Sequence, residues 1–247
     1  MPTILAIETS SELASCALLR GASLTSRDSS GVRTHSQSIL PMVQALLAEA
    51  GIALSACDAI AYGAGPGSFT GVRTACGIAQ GLAFGAGLPV VPVITLEAMA
   101  LACRQRVGAA DVLTVLDARM GEVYWARYRY AQDDARQCAT VVDAPALSAP
   151  DAVRFDGAVT ACGNGLSAYP DALAALAPAT PHGAWSERAA IMPHARQIAQ
   201  LARAAVAAGA TLTPAEAQPL YLRNKIAFTS AERLDIQLAK AAAEASR

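Results

Sequence analysis

Between Tyr62 and Arg73 the chain reads Tyr-Gly-Ala-Gly-Pro-Gly-Ser-Phe-Thr-Gly-Val-Arg, with an apolar run before it and a long segment of small and apolar residues after it. That succession predicts strand, glycine loop, helix. Gly63, Gly65 and Gly67 carry no Cβ, so the backbone there turns tightly or passes close to another group. Pro66 stiffens the middle of the loop, and Ser68 or Thr70 supplies an oxygen that caps the helix. A glycine loop feeding a helix N-terminus suits an anion. The phosphate-loop pattern Gly-x4-Gly-Lys-Ser/Thr nevertheless fails, because Thr70, Gly71 and Val72 stand where Gly, Lys and Ser/Thr are required. The nearest cation is Arg73, a turn further on. A phosphate cradle and a purely structural turn both stay open on these residues.

The helix launched by the loop is predicted over 71–85 and carries glycines at 77, 81 and 85, a spacing that lines one face. Each costs about 1 kcal/mol against Ala in a helix interior. Close approach of another backbone is the usual compensation, supplied either by the protein's own sheet or by a second chain. Leu82 and Phe84 point in different directions, so the helix is apolar nearly all round and is expected to be buried on more than one side.

Upstream, Thr3 to Ile7 is an apolar run ending in Glu8-Thr9-Ser10-Ser11. Ser15 to Leu19 and Ala22 to Arg27 complete a three-strand meander, turning at Arg20-Gly21. A helix follows with Ile39, Leu40, Val43, Leu46 and Leu47 at helical spacing. It tolerates Pro41 if Ser38 is its cap, and Gly51 ends it. Strands at 59–62 and 90–94 and a helix at 95–104 give the order β-β-β-α-β-α-β-α. The second half restarts alike, with a strand from Val112 ending in Asp117, then Arg119-Met120-Gly121 and a strand over 122–130. This suggests a duplication, with lobes at 1–107 and 108–247. Val159 to Cys162 reads as a strand, Pro193 to Ala208 as a helix, Gln218 to Leu222 as a last strand, and 231–245 as a terminal helix. Residues 143 to 195 are poorly legible.

A chain of 247 residues that is 53% hydrophobic and 16% charged has ample material for a core. Its net charge of −1 provides no field for holding nucleic acid unaided. The six cysteines form no Cys-x-x-Cys pair and read as reduced, buried thiols of a cytoplasmic protein without a signal peptide. Thr74 to Leu96 lacks charge, yet its glycines and prolines favour a buried helix plus strand over a membrane span.

Ile7-Glu8-Thr9-Ser10, Gly65-Pro66-Gly67-Ser68-Phe69-Thr70-Gly71-Val72-Arg73, Gly81-Leu82-Ala83 and Asp117-Ala118-Arg119 together resemble the TsaB (YeaZ) family. Its members are partner subunits in threonylcarbamoyladenosine modification of tRNA. The resemblance implies an α/β, actin-like fold of two ribonuclease-H-like halves. The catalytic relatives of that family, TsaD proteins, carry a metal-binding His-x-x-x-His pair. Aligned on Pro92-Val93, it falls on Thr95 and Met99, neither an imidazole ligand. The histidines at 35, 182 and 194 make no i, i+4 pair, and those near helix starts suit capping or solvated roles. Glu8-Thr9-Ser10-Ser11 also lacks the usual glycine of an actin-like phosphate hairpin.

The resemblance therefore implies a non-catalytic subunit with no metal and no required cofactor, leaving room for weak nucleotide binding. Its partners would be a TsaD-like catalytic paralogue and a TsaE-like ATPase, with tRNA met only through the complex. The free chain would form a homodimer on the same apolar face. The expected docking residues are Ile39, Leu40, Val43, Leu46, Leu47, Arg73, Gly77, Ile78, Gly81 and Leu82, with a charge at Leu46 or Leu82 expected to block pairing. Gly65, Pro66, Gly67, Ser68, Thr70 and Gly71 would position the helix, and Glu8 and Asp117 are candidate remnants of a nucleotide site. The rival reading is an ATP-dependent phosphotransferase or hydrolase using Glu8 or Asp117 with Mg²⁺. A protease finds no Ser-His-Asp or metal arrangement in its support.

Overall fold

A computed structural model describes residues 1–29, 35–131, 139–176 and 184–223. Strands β1 (Thr3–Glu8), β2 (Ala14–Arg20) and β3 (Ser23–Ser29) form the meander. Helix α1 (His35–Ala50), strand β4 (Ala59–Gly65), helix α2 (Phe69–Ala86), strand β5 (Val90–Ile94) and helix α3 (Thr95–Val107) follow in the expected order. The sheet runs β3-β2-β1-β4-β5, with β1, β4 and β5 mutually parallel and the meander antiparallel.

The second half repeats the pattern. Strands β6 (Asp111–Arg119), β7 (Glu122–Tyr130), β8 (Ala139–Ser148) and β9 (Thr160–Cys162) form a sheet ordered β8-β7-β6-β9, again a meander joined to a parallel strand. Short helices α4 (Gly165–Ala168) and α5 (Trp185–Ala189) and the longer α6 (Ala195–Ala207) complete the described elements. Two sheets of this topology make the actin-like, ribonuclease-H-like architecture.

Strand β1 is apolar without alternation because both faces of its sheet are covered. Leu5 and Ile7 pack with Ile39, Val43, Leu46, Ala75 and Ala79 of α1 and α2. Ile4 and Ala6 pack on the other side with Ile198, Ala199 and Ala202 of α6. Helix α6 thus returns from the second half to the first sheet, and a boundary at 107/108 does not separate the packing. Helix α3 lies between the sheets, its Leu96, Met99 and Cys103 joining Val112, Leu116 and Tyr128 of the second.

Several local expectations change. The first hairpin turns at Gly21-Ala22, since Arg20 pairs with Ser23. Helix α1 begins at His35, so Ser38 is a buried interior residue and no cap, and Pro41 lies inside the helix. Its ring removes the amide that would bond the carbonyl four residues back, on exposed Gln37. Gln218 to Leu222 is no strand. It is an extended strap whose Leu220 amide donates to the Ala64 carbonyl (2.7 Å) and whose Gln218 backbone bonds the Tyr62 hydroxyl. The expected helix over 231–245 lies outside the described residues. Five cysteines are buried free thiols; Cys138 lies outside the described residues. No helix among the described residues is long and apolar enough to cross a membrane.

Strand β4 runs on through Gly63 and Gly65, which sequence assigns to the loop. Each glycine here answers a neighbour. A Cβ on Gly63 would overlap Glu8 Oε2, and one on Gly71 would overlap the Thr9 carbonyl oxygen. On Gly67 it would lie 2.6 Å from the Ser10 carbonyl oxygen. Gly65 has φ +108°, which glycine alone adopts easily. By contrast, a Cβ on Gly77, Gly81 or Gly85 meets nothing within 4 Å among the described residues. Gly71→Ala should therefore destabilise by about 3 kcal/mol or more through overpacking against backbone. Gly85→Ala should stabilise by about 1 kcal/mol through helix propensity. Urea unfolding midpoints of the two variants check this, and shifts of the same sign would refute it.

Candidate functional site

Ser68 caps α2, its hydroxyl oxygen accepting from the Gly71 amide at 3.4 Å. The space before this helix end is occupied by the chain itself. The Ser68 amide donates to the Ser10 carbonyl at 2.7 Å, and the Thr9 hydroxyl donates to the Gly71 carbonyl at 2.6 Å. The β1–β2 loop thus lies where an anion would lie, and the glycine loop is a seat for that hairpin. The Gly65–Pro66 peptide at its centre is cis, and Thr70 is exposed, its carbonyl accepting from the Thr74 hydroxyl.

Beside this seat a cleft of about 600 Å³ opens between the lobes, walled by Ser10, Gly67, Asp117, Arg119, Tyr221 and Arg223 among others. Asp117 faces it but is engaged. Its Oδ1 accepts from the Arg119 amide (2.8 Å) and the Tyr169 hydroxyl (3.0 Å), and Oδ2 lies 3.2 Å from Arg119 Nη1. Glu8 is absent from the cleft wall: fully buried, it packs over Gly63. Glu8 and Asp117, the candidate remnants of a nucleotide site, are thus not brought together on the cleft wall, and each accepts a hydrogen bond within its own turn. Among the described residues, no group of three or more His, Cys, Asp and Glu side chains is placed to hold a metal ion. Arg119 also bonds Glu12 Oε1 at 2.8 Å, and Arg223 bonds Glu122 Oε2 at 2.6 Å, so ion pairs close both cleft edges. Arg119 and Met120 hold positive φ in the hairpin between β6 and β7, which nothing in their side chains announces.

The two positions aligned with a histidine pair are structural. The Thr95 hydroxyl accepts from the Gly65 amide at 3.0 Å. Met99 is buried beside Gly163, where an added Cβ would come within 2.6 Å of its methyl. His194 caps α6, its Nδ1 accepting from the Arg196 amide at 3.1 Å. His35 Nε2 lies 3.3 Å from the Glu12 carbonyl, and His182 lies outside the described residues.

The outer face of α2 turns small and apolar residues to solvent. Arg73, Gly77, Gly81, Phe84 and Gly85 are exposed along it, Phe84 by 84%, and Leu40 of α1 is 43% exposed. The side turned to the sheet consists of Val72, Ala75, Cys76, Ala79 and Ala83. Tight packing of the glycine stripe on its own sheet is thus ruled out. The expected docking list is corrected too: Ile39, Val43 and Leu46 are core, below 3% exposed, because α1 turns them onto the sheet. A charge at Leu46 would unfold the lobe rather than test docking. Leu47, Ile78 and Leu82 are half-buried against the same core. Sequence reasoning left out Phe84 and Tyr221; an aromatic in a helix of small residues was the available signal for the first.

Burial of Glu8 has a titration consequence. Its Oε1 accepts from the Ser10 amide, Oε2 has no partner, and desolvation pushes its pKa up to about 7, against smaller opposing effects of Ser10 and Thr9. A raised carboxyl pKa favours the protonated native form. Its contribution is full below the ordinary value of 4.5 and is lost as pH rises through about 7. Wild-type stability should fall by about 3 kcal/mol from this group between pH 4.5 and 8. Glu8→Gln should flatten that slope; identical slopes in urea titrations of the two proteins would refute the assignment.

Residues 28–230 match the model of the family described as TsaD, tRNA N6-adenosine threonylcarbamoyltransferase. The chain is 39% identical, over 91% of its length and 96% of the relative's, to the tRNA threonylcarbamoyladenosine biosynthesis protein TsaB of Escherichia coli. To the protein of that name in Haemophilus influenzae it is 37% identical, over 92% and 95%. The solved structure of YeaZ from Pseudomonas aeruginosa superposes with a TM-score of 0.77 at 38% identity, covering 90% of this chain and all of that one. By sequence and by fold alike, this chain belongs to the TsaB (YeaZ) family.

Proposed function

We propose that the chain is a non-catalytic subunit in tRNA N6-threonylcarbamoyladenosine formation, docking a TsaD-like catalytic paralogue on the exposed face of α2 and the edge of α1. The observation that carries this reading is the glycine stripe open to solvent beside an exposed Phe84. Three helix-interior glycines whose added Cβ would meet no described residue within 4 Å are accounted for when another backbone approaches them from outside. The positions of a catalytic histidine pair meanwhile serve the fold, through the Thr95 hydroxyl and the Met99 side chain. The relatives named for this biosynthesis supply the reaction.

In this reading the chain works in the cytoplasm, stabilises or activates the catalytic subunit for transfer to adenosine 37, and joins a TsaE-like ATPase in one assembly. It meets tRNA through the complex, consistent with a net charge of −1. It needs no cofactor of its own. Nucleotide would enter the cleft only weakly, because the Thr9 and Ser10 carbonyls occupy the end of α2. Alone, it pairs with a second copy through the same face.

Gly81→Leu tests the docking face without touching the core, since the space beyond a Cβ there is open. The variant should fold normally by circular dichroism, lose more than about tenfold in affinity for the paralogue, and fail to support modification in a reconstituted assay. Full affinity in a folded variant, or modification that proceeds without this chain, would overturn the proposal.

A further inference from the structure

Arg73 differs from the other cations of the described surface. Its guanidinium lies 3.7 Å from the centroid of the Phe69 ring and 5.5 Å from that of Tyr221, and its Nε donates to the Tyr221 hydroxyl at 2.7 Å. The side chain is thus held by two rings and one hydrogen bond while the residue remains exposed. Among the described residues no carboxylate lies within ion-pair distance of it, as is true also of Arg20, Arg104 and Arg196; what sets it apart is contact with two rings, where Arg104 and Arg188 each meet one. Arg73 is the sole charged residue of α2. The sole acid of α1, Glu49, is already paired with Arg27.

From this we infer that Arg73 is the charged anchor of the docking face and takes a carboxylate of the partner subunit, which sets the pairing's specificity; the inference rests on α2 being that face. The ring contacts and the Nε bond restrain the guanidinium, and no described residue bonds either terminal nitrogen, the fork that matches a carboxylate in a two-point contact. Most of the side-chain ordering that binding would require has already taken place in the free chain. The residue also lies along α2 from the glycine stripe, so a helix laid on Gly77 and Gly81 brings its neighbours toward it. The complementary surface is therefore a small-residue helix flanked by an acid at one end and an apolar recess for Phe84 at the other.

A second copy offers less. At the far end of α2 it presents Glu216 beside Phe84, but Glu216 Oε2 already accepts from the Thr213 amide (2.9 Å) and hydroxyl (2.7 Å). Self-pairing through this acid shares a carboxylate that is closing a turn.

The test measures affinity for the catalytic paralogue by calorimetry at two salt concentrations, and self-association by sedimentation, for the full-length chain. Arg73→Gln should weaken the mixed complex at least tenfold and flatten its salt dependence, with self-association changed less than twofold. Arg73→Lys keeps the charge but not the fork and should recover only part of the loss. Tyr221→Phe keeps the ring and removes the hydrogen bond, and should fall between wild type and Arg73→Gln. Phe84→Asp serves as the control on the face itself. If Phe84→Asp leaves the mixed complex intact, α2 is not the docking face and the functional reading fails. If Phe84→Asp abolishes it while Arg73→Gln leaves affinity and salt dependence unchanged, the anchor alone is refuted. If Arg73→Gln and Glu216→Gln each weaken self-association and spare the mixed complex, the cation serves self-pairing, and the inference is overturned.

Discussion

The contact on which the rest of the molecule depends is the seating of the Glu8-Thr9-Ser10 turn in the glycine loop. Gly63, Gly67 and Gly71 each face one residue of that turn, and no side chain larger than hydrogen fits at any of them without displacing backbone or a buried carboxyl. This close approach joins the end of β1 to the start of α2. It therefore sets both the end of the parallel strand pair and the direction in which α2 leaves the sheet. The Thr95 hydroxyl on the Gly65 amide ties the same loop to α3, the helix between the two sheets. One short segment thus positions α2 and joins the lobes.

The same contact decides the chemistry of the site. A helix N-terminus attracts negative charge, and here the Ser10 carbonyl meets the Ser68 amide while the Ser68 hydroxyl meets the Gly71 amide. The partial charge is answered within the chain, so the α2 end that would attract a phosphate is already satisfied. The cleft beside it is walled by residues that satisfy one another: Asp117 with Arg119 and Tyr169, Arg223 with Glu122. Its polar groups hold the two lobes and the strap together.

Much of this was legible in the sequence, and the reasons differ by element. The meander and the alternating strands and helices followed from periodicity and glycine turns, because those signals are local. The family followed from the run at 65–73. Facing was harder to read. In α1, Ile39, Val43 and Leu46 share a stripe with Leu40 and Leu47 in composition, and only the sheet's position shows that the first three turn inward. In α2, apolar residues on all sides hid the fact that one side meets solvent. Ser38 looked like a cap because serine suits that place, but the helix extends a turn further back. The strap at 218–223 resembled a strand since its residues are extended; its bonds run to Tyr62 and Ala64 as isolated links and form no ladder. The return of α6 to the first sheet is a long-range event with no local mark.

Thr95 and Met99 bear on the history of such a chain. A histidine at 95 would take away the hydroxyl that answers the Gly65 amide, loosening the loop that α2 starts from. A histidine at 99 would set a polar ring into a fully apolar neighbourhood and leave space beside Gly163. Each step alone costs stability, and both are needed before a metal could be held by this pair. Installing a metal-binding pair there thus passes through a destabilised intermediate, so the contacts made by residues 95 and 99 act as a ratchet on the fold.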